Sequence, residues 1–492
     1  MSQRDARLIV VSNRLPITIE QVGRQIQVRP SSGGLVSALL PAFKDKGGCW
    51  VGWPGTDYDP DIARVLRNEC APEYSFEPVF LNDEEKKCFY DGWSNEIIWP
   101  LFHDLQSNCN FDPAYWAVYR DANEKFADVV EQTAGHKDFI WVHDYHLMML
   151  ADALRSRGMR SKMAYFHHIP FPAPDIFEKL PWRCEILRGL LQFTALGFQT
   201  QRDSGNFVSC IRRCFSDAKV EDLGSKVLVR AEQQCVSVGS FPISVDYKSL
   251  ACDATTLETR ERAAVLRQEF QGKKIVLGLD RLDYTKGIPQ RLAAFRELLR
   301  REPSLKSKVT LLQVVVPSRE DIPQYQRLKD TIEKLVSEIN GEYSAPGWTP
   351  VVYWHRSLSR PELLTLYRAA DVVFITSLKD GMNLVAKEFC AARSDEIGVL
   401  VLSEFAGAAA ELKKGALLVN PYDTEGMSAA LMRALWMPER EQRLRMRPMR
   451  EVIEHADVYE WCKSIWRDVG FNGIRSYPQP HTTNMGSAAM AI

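Results

Sequence analysis

Asp380 and Glu388 are the carboxylates of this chain whose surroundings best suit sugar chemistry. Asp371-Val-Val-Phe-Ile-Thr-Ser377 is an apolar, β-branched run ending in a polar turn, and a helix-forming segment starts at Leu384. The turn between them, Leu378-Lys-Asp380-Gly381-Met382-Asn383, precedes a helix N-terminus whose unbonded backbone N–H groups attract an anion. From the turn Asp380 can accept from a sugar hydroxyl, and from the helix Glu388 can accept from a ribose diol. Anion, sugar and ribose contacts in one strand–turn–helix unit point to a sugar-nucleotide site, although an ordinary capped helix has the same outline.

Cations stand at other strand ends. Leu279-Asp-Arg281-Leu-Asp283-Tyr-Thr-Lys286-Gly287 follows the apolar run Lys274–Leu279, so Arg281 and Lys286 can converge on one anion across a turn. A departing diphosphate gains charge as its bond to the sugar breaks, and fixed cations there lower the barrier. The competing reading is a surface salt-bridge loop with Asp280 and Asp283. Val314-Val-Val-Pro317-Ser318-Arg319 brings a third cation to the same face, and Arg14 ends the first apolar run. Gly33-Gly34 precedes a helical run, Leu35–Phe43, and offers N–H groups to phosphate. It is neither a GxGxxG nor a GxxxxGK pattern, which lowers the weight of dinucleotide and ATP readings. In Trp141-Val-His143-Asp144-Tyr145-His146-Leu147, Asp144 is the functional candidate at a strand tip, while His143 and His146 read as structural. Tyr165-Phe-His167-His168-Ile-Pro170 runs into a proline-fixed turn that aims His168 outward, with a backbone-satisfied core histidine as the alternative. Trp53, Tyr90 and Trp99, read as loop aromatics, can stack on sugar C–H faces or simply fill the core.

These residues need strand ends and helix starts to hold them. Strand-like runs occur at Leu8–Ser12, Phe139–Val142, Lys162–Phe166 and Ala195–Gln199, then at Lys274–Asp280, Val309–Val316, Val351–Trp354, Asp371–Ser377, Gly398–Ser403 and Ala416–Val419. Helical patterns lie between them, among them Ala114–Glu131, Leu147–Arg157, Pro289–Arg301, Pro323–Glu338, Arg360–Ala369, Leu384–Ala392 and Glu425–Met437. Such alternation predicts parallel sheets with crossover helices, and two series of it predict an α/β chain of two doubly wound, Rossmann-like domains facing across a cleft. The expected division is 1–245, 246–458, a helix within 459–475 packing back on the first domain, and a disordered tail at 476–492.

Composition narrows the partners. The chain has 492 residues, with 62 basic against 63 acidic and a net charge of -1, which argues against nucleic-acid or anionic-membrane binding. Phosphate must then be held by locally placed Arg and Lys. No run reaches the length of a membrane-spanning helix, and the start lacks a signal-peptide core, so a cytoplasmic location is expected. The 11 Cys, without CxxC pairs, read as reduced and mostly buried thiols, with no metal site expected.

Taken together, Ser12-Asn13-Arg14, Ser32-Gly33-Gly34-Leu35, Trp99-Pro100, the segment from His143 to Leu147, His168-Ile-Pro-Phe-Pro172, Arg281 to Gly287, Pro317-Ser-Arg319, Gly347-Trp-Thr-Pro350, Asp380 to Glu388 and Ser403-Glu-Phe-Ala-Gly-Ala408 resemble the trehalose-6-phosphate synthase family. The resemblance runs in order over nearly the whole chain. It implies a GT-B fold and retaining, metal-independent glucosyl transfer, without a cofactor, from a nucleotide-glucose (UDP-glucose first) to glucose 6-phosphate. On the donor side it implies Gly34, Arg281 and Lys286 at the diphosphate, His168 and Asp380 at the glucose, with Met382 and Asn383 backbone. Leu384 and Val385 would face the nucleotide and Glu388 the ribose. On the acceptor side it implies Arg14 and Arg319 at the sugar phosphate, with Trp53, Tyr90, Trp99 and Asp144 around the ring. A homo-oligomer is expected. Two positions depart from the family pattern: Asp104 stands where Tyr is usual, and Ser244 where Gly is usual. Alternatives are a synthase using another phosphorylated acceptor such as glycerol 3-phosphate, a non-catalytic sugar-phosphate-binding member, and a nucleotide-sugar epimerase. The retained Arg281, Lys286, Asp380 and Glu388 disfavour the second, and the Arg14 and Arg319 pair disfavours the third.

Overall fold

In the computed structural model the described residues are 6–471, apart from 23–24, 31–35, 37–38, 41–42, 44–46, 57, 69–73 and 320–321. Gly34, most of the run Leu35–Phe43 and the expected tail lie outside them. The chain divides into two compact units. One is formed by the chain up to Ile243 and again from Tyr459; the other is Ser244–Val458.

The first unit is built on a nine-stranded sheet. From edge to edge the strands are Tyr74–Pro78, Gly48–Trp53, Leu8–Arg14, Phe139–His143, Met163–Phe166, Ala195–Phe198, Gln234–Ser240, Lys226–Ala231 and Lys219–Asp222. The pairings are parallel as far as Gln234–Ser240, and the last two are antiparallel. Ile9–Val11 and the whole of Phe139–His143 are buried, as expected of strands covered on both faces. The chain leaves Leu8–Arg14 toward one edge of the sheet and returns with Phe139–His143 on its other side, so strand order reverses there. In open α/β sheets ligands gather beyond the C-terminal ends at such a reversal. Arg14 and Asp144 follow those two strands. The final helix, Val458–Asp468, is held to this unit: Trp461 Nε1 donates to the Phe241 carbonyl at 3.1 Å, and the Trp461 and Trp141 rings lie 5.0 Å apart. Asp468 accepts from Lys226 and Ser237, and Lys162 Nζ donates to the Val469 carbonyl.

The second unit carries a six-stranded, wholly parallel sheet in the order Val351–His355, Val309–Val316, Lys274–Arg281, Val372–Ile375, Val399–Ser403 and Leu417–Val419. Its reversal lies between Lys274–Arg281 and Val372–Ile375, the strands that lead into Arg281–Lys286 and Asp380–Asn383.

Several elements differ from expectation. A hairpin of Ile17–Val22 with Gln25–Pro30 and the antiparallel strands Lys219–Asp222 and Lys226–Ala231 were not anticipated, because their mixed polar composition has no buried run to mark them. The expected helix Leu147–Arg157 is a 3-10 turn, Tyr145–Leu147, then Leu150–Ser156. The loop aromatics belong to regular elements: Trp53 closes a strand, Tyr90 lies in a π-helix, Lys86–Ile98, and Trp99 opens a short helix. The all-thiol expectation also fails, since Cys184 and Cys214 form a disulfide; the fold brings their Cα atoms to 6.1 Å, a proximity that a separation of 30 residues hides. Of the free cysteines described, Cys49, Cys210, Cys390 and Cys462 are buried. Among the described residues no helix is long and apolar enough to cross a membrane.

Candidate active site

In the second unit the two strand ends at the sheet reversal are tied loop to loop. Leu378 N–H donates to the Thr285 carbonyl at 2.7 Å, and the Thr376 hydroxyl to that of Gly287 at 2.9 Å. Gly287 has φ +63°, and a Cβ there would stand 2.1 Å from the Thr376 carbonyl oxygen, so no larger residue fits this approach. The result is a direct ion pair: Lys286 Nζ donates to Asp380 Oδ2 at 2.6 Å. Ser377 Oγ and Asn383 Nδ2, each at 3.2 Å, donate to the same oxygen. Asn383 is itself strained, at φ +81°, and its side chain caps the helix Leu384–Ala392 by accepting from Ala386 N–H. The segment Ser403–Ala408 packs on this turn, with Gly407 N–H donating to the Asp380 carbonyl and Ala408 N–H to that of Met382. Met382 is thereby buried, while Leu384 and Val385 stay half-buried.

The cations have a buried counterpart. Asp283 accepts from the N–H and hydroxyl of Thr285, and Arg319 stands 3.9 Å from its other oxygen. Burial alone would raise the Asp283 carboxyl, but Arg319, Lys286 and Arg281 around it hold it below the usual carboxylate range. That carboxylate therefore anchors a basic cluster of Arg281, Lys286 and Arg319. Arg319 also donates to the Tyr325 hydroxyl at 2.6 Å and holds φ +52°. The alternative of a surface salt-bridge loop is overturned: Asp283 is buried, and Asp280 is buried in an ion pair with Arg291 at 2.5 Å. Below the helix start, Glu388 accepts from the buried Tyr367 hydroxyl at 2.7 Å. Burial pushes the Glu388 carboxyl up, against the opposing effect of Tyr367 and Arg360.

In the first unit Arg14 sits over Trp53, its guanidinium carbon 4.5 Å from the ring centre, and fills the space that a Cβ at Gly55 would take. Burial lowers its pKa from the arginine value, with Tyr90 working the other way; a desolvated cation of this kind favours an anion. Trp53 and Tyr90 rings lie 6.3 Å apart, Tyr90 stacks on His146 at 5.9 Å, His146 on Tyr145 at 4.1 Å, and Trp99 follows 6.1 Å from Tyr145. One aromatic chain thus joins three of the expected acceptor residues to Arg14. Asp144 adopts φ +74°, and its Oδ1 accepts from the His168 backbone N–H at 3.3 Å. The His168 ring meets His143, Nε2 to Nδ1, at 3.0 Å. Asp104, the departure near these residues, holds φ +60°, a left-handed conformation that Asp tolerates better than Tyr.

All expected site residues except Gly34 are therefore described, and they fall into two groups. Arg14, Trp53, Tyr90, Trp99, Asp144 and His168 gather in the first unit, and Arg281, Lys286, Arg319, Asp380, Met382–Val385 and Glu388 in the second. Sequence reasoning missed Asp283, Tyr367 and the contact of His143 with His168. Asp283 had a signal in its Asp-x-Thr spacing, a common turn cap; Tyr367 had none, because it meets Glu388 only through the packing of two helices. Among the described residues no group of three or more His, Cys, Asp or Glu could hold a metal ion.

Two doubly wound units, each with polar side chains beyond the C-terminal strand ends, are the two Rossmann-like domains of a GT-B fold. The chain belongs to glycosyltransferase family 20, whose profile it matches over residues 6–470. It is 38% identical over 490 residues to the alpha,alpha-trehalose-phosphate synthase (UDP-forming) 56 kDa subunit of Saccharomyces cerevisiae, covering 98% of each chain. It is 40% identical over 470 residues to trehalose-6-phosphate synthase of Mycobacterium bovis, covering 94% of each. Among solved structures it resembles an alpha,alpha-trehalose-phosphate synthase (UDP-forming) from Burkholderia xenovorans in complex with glucose-6-phosphate, with TM-score 0.87, 34% identity and coverage of 94% of this chain and 100% of that one. A second, from E. coli and bound with UDP-2-fluoro glucose, has TM-score 0.86 and 34% identity, covering 96% and 100%.

Proposed function

We propose that this glycosyltransferase moves glucose from UDP-glucose to glucose 6-phosphate, forming trehalose 6-phosphate with retention at the donor carbon. The observation that carries the reading is the basic cluster around Asp283 together with Asp380 at one sheet reversal, a charge pattern made for a sugar diphosphate. The relatives' UDP-forming names, and the glucose-6-phosphate and UDP-2-fluoro glucose in two similar structures, support the choice of substrates. Arg281 and Lys286 are assigned to the leaving diphosphate, with Gly34 retained there from the resemblance. Asp380 and His168, with Met382 and Asn383, are assigned to the donor glucose, Leu384 and Val385 to the nucleotide, and Glu388 to the ribose. Arg14 and Arg319 are assigned to the acceptor phosphate, and Trp53, Tyr90, Trp99 and Asp144 to the acceptor ring.

The chemistry is front-face transfer. The bond from the anomeric carbon to the diphosphate breaks while the acceptor hydroxyl attacks from the same side, and a donor phosphate oxygen takes the hydroxyl proton. Arg281 and Lys286 stabilise the charge that builds on the diphosphate. The eight free cysteines described fit the cytoplasmic location that accompanies this reading, and the Cys184–Cys214 disulfide runs against it. The test is purified protein with each nucleotide-glucose against glucose 6-phosphate and glycerol 3-phosphate, with the product's linkage and nucleoside identified by NMR. An α-linked trehalose 6-phosphate and UDP are expected, with activity retained in chelator. Transfer only to glycerol 3-phosphate, or a β-linked product, overturns the reading.

A further inference from the structure

We infer that His143 is a positioning residue that fixes the tautomer of His168, so that His168 presents an Nδ1–H donor to the substrate. The inference rests on the proposed role of His168 at the donor glucose. Its starting point is the contact between His143 Nδ1 and His168 Nε2 at 3.0 Å. One of these nitrogens carries the proton and the other accepts it. Burial lowers both imidazoles, His143 well below the ordinary value and His168 to about 3, so both are neutral and share a single proton across the contact.

The surroundings of His143 choose the direction. Its side chain is fully buried, and its Nε2 has no hydrogen-bond partner. Trp141 and Trp461 flank the ring, with centroids 4.5 Å and 6.3 Å away. If His143 accepted from His168, its own proton would sit on Nε2 as a buried N–H with no hydrogen-bond partner among the described residues. An orphaned N–H is the rarer and costlier arrangement, and a ring face is a weak acceptor. If His143 donates from Nδ1, Nε2 is only an unfilled lone pair. The second arrangement places the His168 proton on Nδ1, which bonds to no other described residue. His168 is otherwise clamped through its backbone, its N–H by Asp144 Oδ1 and its carbonyl by Gln199 Nε2 at 3.4 Å. Backbone clamps fix the ring's place but not its proton; that falls to His143. A sugar hydroxyl oxygen facing Nδ1–H then meets a donor in every turnover.

The test reads the proton directly. Full-length protein labelled with 15N-histidine, with His168→Asn used for assignment, is expected to show His168 protonated on Nδ1 and bare on Nε2. A proton on His168 Nε2 overturns the inference, and the protonation is read in the unaltered protein, the variant serving only to assign the signal. Two variants then separate positioning from structure. His143→Asn sets an amide nitrogen where Nδ1 stood and is expected to keep kcat within a few-fold. His143→Leu supplies neither donor nor acceptor, frees the tautomer, and is expected to lower kcat about 10-fold more than His143→Asn with UDP affinity nearly unchanged. Equal losses in both variants, or a loss confined to KM, overturn it as well. Should His168→Ala transfer normally, the donor-glucose role of His168 fails, while the tautomer spectrum still decides the pairing.

Discussion

Lys286 illustrates how much one side chain is asked to do: it pairs with Asp380 at 2.6 Å and helps hold Asp283 ionised. Lys286→Ala therefore removes charge where the proposed leaving group gains it. Turnover is expected to fall about 10²-fold or more, and single-turnover kinetics locate the loss in the chemical step. Unchanged turnover with a raised acceptor KM contradicts the assignment. Tyr367 is the complementary case, a buried hydroxyl whose recorded partner is Glu388. Tyr367→Phe leaves that carboxylate short of a donor in a site that already raises its pKa, so it accepts more poorly from a ribose. Nucleotide binding is expected to weaken by about 1–3 kcal/mol, the cost of a buried hydrogen bond lost at one partner, with transfer from saturated enzyme little changed. Calorimetry with UDP reads the difference directly, and equal affinities sink the idea. These residues also mark what was legible in the sequence. Arg281, Lys286 and Asp380 stood out because each follows an apolar run closely. Asp283 looked like loop charge because burial is not a local property.

At the level of strands and helices, some buried strands and amphipathic helices were readable to the residue. Val309–Val316, Arg360–Ala369 and Leu384–Ala392 coincide with their expected ranges. What escaped was structure without a buried run, such as Lys219–Asp222, whose residues are mostly exposed, and structure set by unusual backbone, such as the π-helix around Tyr90. The final helix was expected within 459–475, packing back on the first domain, but the residues that receive it were not named. They are Trp141, Phe166 and, through its carbonyl, Phe241, drawn from three separate segments. Trp461→Ala is expected to destabilise the first unit by about 3–5 kcal/mol, the range for a buried aromatic truncated to alanine. Thermal unfolding followed by near-ultraviolet circular dichroism tests it. A melting temperature equal to the parent's means the helix contributes no packing there.

Over the whole molecule, the buried histidines set a response to acid. His167 and His168 are lowered from 6.5 to about 3, and His143 well below 6.5, in each case first by burial. Between those values the unfolded chain binds protons that the folded chain refuses. Stability is thus fullest above pH 6.5 and declines as pH falls through that value toward 3. Melting temperatures taken from pH 7 to pH 5, above most carboxylate titration, are expected to drop steadily, and less steeply in His167→Asn. A flat profile over that interval contradicts the burial of these rings. The chain's division has a consequence in time as well as in space. Because the first unit resumes at Tyr459 and the second is Ser244–Val458, the second is an insertion within the first. A ribosome delivers Ser244–Val458 complete while the first unit still lacks Trp461. The usual order, with the N-terminal unit finished first, is therefore inverted here. The early two hundred-odd residues must wait through the synthesis of an entire neighbour, for about 10–40 s at about 5–20 residues per second, with the face meant for Trp461 uncovered.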